Sequence, residues 1–140
     1  VTGSVDRYRA GIETLLALSP DKGELISDAL AAEAPDFARL MVEFAFADIF
    51  ARNGLDLRSR MFVAIGALAA QARSPTQLHW FVRAALGLGI SRDEITEALM
   101  EVAVFSGFVV ASDALEACRD LLADQPSGDC CPSRAAFAAR

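Results

Sequence analysis

The feature that most constrains this chain is a pair of helix-start signals on either side of a glycine-bearing joint, in the stretch Ser74–Ala111. Ser74-Pro75-Thr76-Gln77 offers a Ser at the N-cap, a Pro at the first helical position and a Gln at the third. The Ser74 and Gln77 side chains can then satisfy each other's orphan amides. Gly87 and Gly89 can adopt the left-handed backbone that ends a helix, and Ser91-Arg92-Asp93-Glu94 supplies a capping box for the next one. Two helices so linked meet at a short, defined angle.

The remaining segments carry the same period. Val5–Leu18 places Ile12, Leu15 and Leu16 at helical spacing, and Ser19-Pro20 resets the chain ahead of a short helix over about 21–34. Pro35 opens a helix with a broad apolar face, Phe37, Leu40, Met41, Phe44, Ile49 and Phe50, which should end near Asn53-Gly54. From Met61 to Ala70 every position is apolar or Gly. A helix without a polar face is expected to be central and buried. Helices over 75–88, 92–105 and about 108–123 complete the set, and no repeat of solenoid length is present. The expected fold is a compact all-α domain of six or seven helices over 1–123, followed by a tail over 124–140 that mixes turn formers with a short Ala-rich end and should be mobile.

Composition narrows the function. A formal charge of −6 with scattered Lys and Arg disfavours nucleic acid or an anionic membrane as partner. The Met61–Ala70 run falls short of the ~18 apolar residues that span a bilayer. The N-terminal VTGSVDRYRAG has no charged leader before an apolar core, so a cytoplasmic protein is expected. Apolar residues make up 54% of the chain, an excess that close helix packing or subunit contacts would explain. Cys118, Cys130 and Cys131 form no C-x-x-C pair, and Cys118 is expected to pack as a small apolar residue.

Over roughly 7–122 the chain resembles the carboxymuconolactone decarboxylase family, within the wider alkylhydroperoxidase-D-like fold. The pieces that carry the resemblance are Arg7-Tyr8-Arg9-Ala10-Gly11, Ala47-Asp48-Ile49-Phe50-Ala51-Arg52-Asn53-Gly54-Leu55, Arg60, Arg83-Ala84-Ala85 through Gly89, Arg92-Asp93-Glu94-Ile95 and Phe105-Ser106-Gly107. The resemblance implies an all-helical homo-oligomer, a trimer or hexamer, with a small-molecule pocket and decarboxylation of a lactone without metal or organic cofactor. The family's acid–base motif has a Glu and, four residues on, a His on one helix face. In the register set by Arg83 and Gly89 those positions hold Gln77 and Phe81, so both ionisable groups are replaced. The thiol branch of the fold has no counterpart here, unless Cys130 or Cys131 folds back onto the pocket.

The remaining candidates each have two readings. His79 lies two positions from Gln77 and Phe81, which turns it about 200° from them; it serves another pocket as acid or base, or forms a surface or subunit contact. Arg60 either clamps an anionic ligand or pairs with Asp56 one turn earlier, and Asp48 is expected to pair with Arg52. Glu101 and Glu97 either bring a carboxylate to the pocket or face solvent, and Arg83 binds an acidic group or a neighbouring subunit. Trp80, Phe81, Phe105 and Phe108 either wall a planar ligand, together with Gln77, or pack as core. The expected function is a cofactor-independent enzyme acting on a lactone, cyclic or polyketide-like intermediate by decarboxylation, isomerisation, ring opening or cyclisation, with Arg60, His79 and Glu101 as catalytic candidates. The alternative is a ligand-binding or assembly module on the same fold.

Overall fold

A computed structural model describes residues 4–18 and 28–123. They form α1 (Ser4–Leu18), α2 (Asp28–Glu33), α3 (Pro35–Met41), a π-helical continuation of α3 (Val42–Phe50), α4 (Leu57–Gln71), α5 (Pro75–Gly87), α6 (Arg92–Ser106), α7 (Phe108–Ala117) and α8 (Arg119–Leu122). The all-α expectation holds, with no strand among the described residues. The reset at Ser19-Pro20 and the tail over 124–140 lie outside the described residues.

The helix expected over 108–123 is two helices that break at Cys118, whose φ of −112° and ψ of 13° leave the helical region. Of the two capping boxes read from the sequence, one forms. Ser91 Oγ accepts from the Glu94 amide while the Glu94 carboxylate accepts from the Ser91 amide. Ser74 makes no side-chain cap at the start of α5; its backbone, at φ −139° and ψ 80°, departs from the extended cap geometry that Ser91 adopts. Asp56 is the other working cap, accepting from the Ser59 amide at 2.9 Å and its hydroxyl at 2.6 Å.

Burial also differs from the expectation for the apolar run. α4 buries only the stripe Met61, Ile65 and Ala69, and Val63 on its far side is 65% exposed. Its Ala and Gly residues look apolar in sequence yet carry little surface to bury, so they tolerate a solvent-facing side. The helix enclosed on several sides is α5, where Leu78, Trp80, Val82, Ala84 and Ala85 are all buried. They meet Ile95, Leu99 and Val102 of α6, Ala111 and Ala114 of α7, and Cys118 in one core.

α1 packs along the π-helical segment through a close approach at Gly11. A Cβ there would stand 2.6 Å from the Val42 carbonyl oxygen, so only glycine allows this spacing. An ion-pair group seals the contact: Arg7 Nε donates to Asp48 at 3.3 Å, and the buried Glu43 accepts from Arg39 at 2.9 Å with Arg7 at 3.7 Å. Asp48 thus pairs across helices with Arg7, where an i,i+4 pair with Arg52 was expected. The cross-helix partner wins because α1 places a guanidinium directly over the carboxylate.

Candidate functional site

α4 and α6 lie side by side, and small residues on both, Gly66, Ala70 and Ala98, leave an open groove of about 430 Å³ between them. Its walls are Phe62, Val102 and Phe105; Glu97 and Glu101, one turn apart on α6, and the Ser106 hydroxyl supply the polar groups. Among the described residues lining it there is no Lys, Arg or His. Its volume and its largely apolar lining with a few polar residues lie in the range of small-molecule sites. Of the sequence candidates it gathers Glu97, Glu101 and Phe105, and it adds Phe62, which the sequence reading passed over, and Ser106, which had no site role there. The Ser106 position was legible within Phe105-Ser106-Gly107, but only the crossing of α4 over α6 brings Phe62 to it.

The other candidates stand elsewhere. Arg60 starts α4 and turns back onto the preceding loop: Nε donates to the Leu55 carbonyl at 3.0 Å and a terminal nitrogen to the Arg52 carbonyl at 2.7 Å. Asp56 is occupied as the α4 cap, so the alternative Arg60–Asp56 pair does not form. The loop held by Arg60 walls a second groove of about 410 Å³ with Thr14, Phe50, Arg52 and Asn53.

His79 is 28% exposed in its side chain and faces α8 from α5. Its Nε2 lies 2.9 and 3.1 Å from the two Asp120 carboxylate oxygens, and that hydrogen bond holds the Asp120 carboxyl below its ordinary range. The shallow groove at His79 is lined by Pro75, Thr76 and Ala117, none of which lines the α4–α6 groove. Nearby Cys118 is fully buried, and desolvation followed by the Asp120 charge pushes its thiol up to about 11, which leaves it protonated and unreactive at neutral pH.

The four aromatic candidates do not share one wall. Trp80 is fully buried and meets Phe81 edge-on, with ring centroids 4.9 Å apart; Phe81 in turn faces Phe50 at 6.1 Å. Phe105 and Phe108 sit on the outer corner between α6 and α7, both largely exposed. Gln77 and Arg83 are partly buried on α5. No helix among the described residues is long and apolar enough to cross a membrane, and no group of three or more His, Cys, Asp or Glu among them could hold a metal ion.

Comparison with known proteins agrees with this architecture. The chain is 30% identical over 118 residues, 84% of its length and 88% of the relative's, to an uncharacterised 15.0 kDa protein of the nqo9–nqo10 intergenic region of Paracoccus denitrificans. It is 25% identical over 119 residues, again 84% of this chain and 88% of the relative, to the 4-carboxymuconolactone decarboxylase of Acinetobacter baylyi. The profile of the carboxymuconolactone decarboxylase family matches residues 35–120, which run from α3 into α8 and take in every wall of the α4–α6 groove. By this match over more than half its length, the chain belongs to the carboxymuconolactone decarboxylase family.

Proposed function

We propose that this protein is a homo-oligomeric small-molecule enzyme that moves a proton on a neutral, largely apolar ring compound, a lactone or polyketide-like intermediate, in the α4–α6 groove. Glu101 is the base, and no metal or organic cofactor takes part. The observation that carries the reading is the groove's lining: two carboxylates, a hydroxyl and apolar walls, with no cation among its described residues. A ligand carboxylate placed there would face Glu97 and Glu101 at short range, and like charges repel by roughly 4 kcal/mol at 4 Å near a protein surface. The nearby guanidinium of Arg58, 5.6 Å from the Phe62 ring centroid, is already paired with Glu94, so the two groove carboxylates would disfavour the carboxylated lactone that gives the family its name. Of the four reactions open to such an enzyme, isomerisation, ring opening and cyclisation of a neutral ring suit it better than decarboxylation.

In this mechanism the apolar ring lies against Phe62, Phe105 and the Gly66–Ala70 floor. The Glu101 carboxylate takes a proton from a carbon beside the ring carbonyl, and the electron pair moves onto the carbonyl oxygen. Ser106 donates a hydrogen bond to that developing oxyanion, and Glu101 returns the proton to a different carbon. No redox change occurs. Arg60 acts at a distance by fixing the loop before α4, and His79 ties α5 to α8 through Asp120.

The test is proton exchange on neutral lactones and cyclic enones in D2O, followed by NMR, beside the same rings bearing a carboxylate. The neutral rings should exchange, the carboxylated ones should not, and Glu101→Gln should lower the rate by about 10²–10⁴ while binding persists. Full exchange in Glu101→Gln would remove Glu101 from the chemistry. Binding of the neutral rings without any exchange would favour the alternative, a ligand-binding module.

A further inference from the structure

A cavity of about 170 Å³ lies where the end of α4 and the start of α5 meet α7, and none of the residues around it lines the α4–α6 groove. Buried Ala69, Leu78 and Ala114 form its floor, with the half-buried Leu68 and Val110 at the sides. Two features of its rim are unusual. Ala72 ends α4 in the left-handed backbone, at φ 51° and ψ 25°, where a residue other than glycine is strained, and strain of this kind gathers at ligand-holding turns. Ser74, two residues on, lines the same rim and leaves its hydroxyl out of the α5 cap.

Size and charge define what would fit. An engineered protein cavity of about 150 Å³ with apolar walls takes up benzene. At about 170 Å³ this one has room for a single six-membered ring, and a fused pair of rings exceeds it. Among the described residues lining it Asp113 is the one ionisable group, exposed at the rim, and its carboxylate has no hydrogen bond or ion pair with another described side chain. Neither neighbouring cation serves it: His79, beyond Pro75 and Ala117, is held by Asp120, and the exposed Arg73 does not line the cavity. An apolar cup with an unpaired carboxylate at its mouth is complementary to a ring that carries a positive charge on a short arm.

We propose that this cavity is a second ligand site, separate from the α4–α6 groove, and that it takes a single-ring primary amine. The ring sits on Leu78 between Leu68 and Val110, the ammonium group reaches out to the Asp113 carboxylate, and the Ser74 hydroxyl accepts another of its N–H groups. A carboxylate on the same ring would be repelled by Asp113, and a fused two-ring amine would be too large for the cup. The site is independent of the chemistry assigned to Glu101.

The test is a titration of the full chain, isotope-labelled for amide NMR, with benzylamine, benzyl alcohol, benzoate and naphthylmethylamine. Benzylamine should shift the amides of 72–78 and 110–117 saturably, and benzyl alcohol should do so more weakly. Benzoate and naphthylmethylamine should leave those amides in place. Asp113→Asn, at an exposed position, should weaken benzylamine by roughly two- to fivefold, the range for an exposed ion pair, and leave benzyl alcohol unchanged. Because Glu97 and Glu101 also offer carboxylates, location decides: shifts confined to 97–106 would assign the amine to the α4–α6 groove and overturn the second site. The proposal also fails if benzoate or naphthylmethylamine binds as well as benzylamine, if Asp113→Asn binds benzylamine like the wild type, or if no shift saturates.

Discussion

Gly11 offers the sharpest test of the packing. In an isolated helix, replacing Gly by Ala stabilises by about 1 kcal/mol. Here the added Cβ would stand 2.6 Å from the Val42 carbonyl oxygen and 2.7 Å from its Cγ1. Ordinary contact begins near 3.4 Å, so α1 and the π-helical segment must separate by about 0.8 Å. Two of the obstructing atoms are Val42 backbone, which no rotamer change can move. Overpacking of this kind costs about 1–3 kcal/mol, and the rigid obstruction argues for the upper end. The separation would also loosen Leu15, Val42 and Phe46, all buried in or beside this contact. Against the propensity gain, Gly11→Ala should be destabilising by about 2 kcal/mol net. Near the size of this chain that is roughly 6–8 °C in Tm. The control is Gly66→Ala on α4, where nothing lies within 4 Å of the new Cβ; there the propensity term acts alone and Tm should rise. Both belong in one series of thermal and urea unfolding at fixed protein concentration, so that association does not confound the comparison. A Gly11→Ala variant as stable as the wild type, or a Gly66→Ala variant that falls by the same amount, would refute the reasoning.

Two further outcomes follow from the hydrogen bonds. Arg60→Ala frees the Arg52 and Leu55 carbonyls from their charged donor and should cost about 1–2 kcal/mol in urea unfolding, the lower end of the range for such bonds because the group is partly exposed; Arg60→Lys should recover only part, since one ammonium cannot reproduce the planar two-nitrogen reach. Asp56, Glu94 and Asp120 are held below their ordinary values of 3.8, 4.5 and 3.8, chiefly by hydrogen bonds from Ser59, Ser91 and His79 respectively. A carboxyl depressed in the folded state contributes stability that is complete above its ordinary value and disappears as pH falls through the lower one. Melting temperature should therefore begin to drop below about pH 4.5, and Ser91→Ala, which weakens the hold on Glu94, should make that acid slope shallower.

Helix positions were legible in this sequence because capping and turn chemistry is local. Ser91 with Glu94 and Gly89 at φ 82° are written in adjacent residues and fold as read. What stayed hidden depends on residues far apart in the chain. Nothing near Val42 signals a π-helix, and nothing near Asp48 favours Arg7 over Arg52. The Arg7–Asp48 pair depends on how closely α1 can approach, which Gly11 permits. The apolar run on α4 misled for a different reason: Ala and Gly score as hydrophobic but release little area on burial, whereas α5, with Trp80 and Leu78, has more to gain and takes the centre.

The same packing explains why the proposed chemistry lies on α6 although α5 is the helix most like the family's catalytic one. Position 81, where the resemblance expects an imidazole, holds a phenyl ring set between Trp80 and Phe50. A His at Phe81 would exchange these ring contacts for a polar group that needs a hydrogen-bond partner, at a cost of about 1–3 kcal/mol if none were supplied. Restoring Glu at Gln77 alone would add a carboxylate without the base it works with. The α5 face has thus been committed to packing, and a proton-transfer site built from this chain must draw on carboxylates that remain open to a groove. Glu97 and Glu101 meet that requirement because the small residues opposite them, Gly66 and Ala70, leave room for a ligand. In this chain aromatic packing occupies position 81, while the small residues Gly66 and Ala70 keep the groove beside Glu97 and Glu101 open.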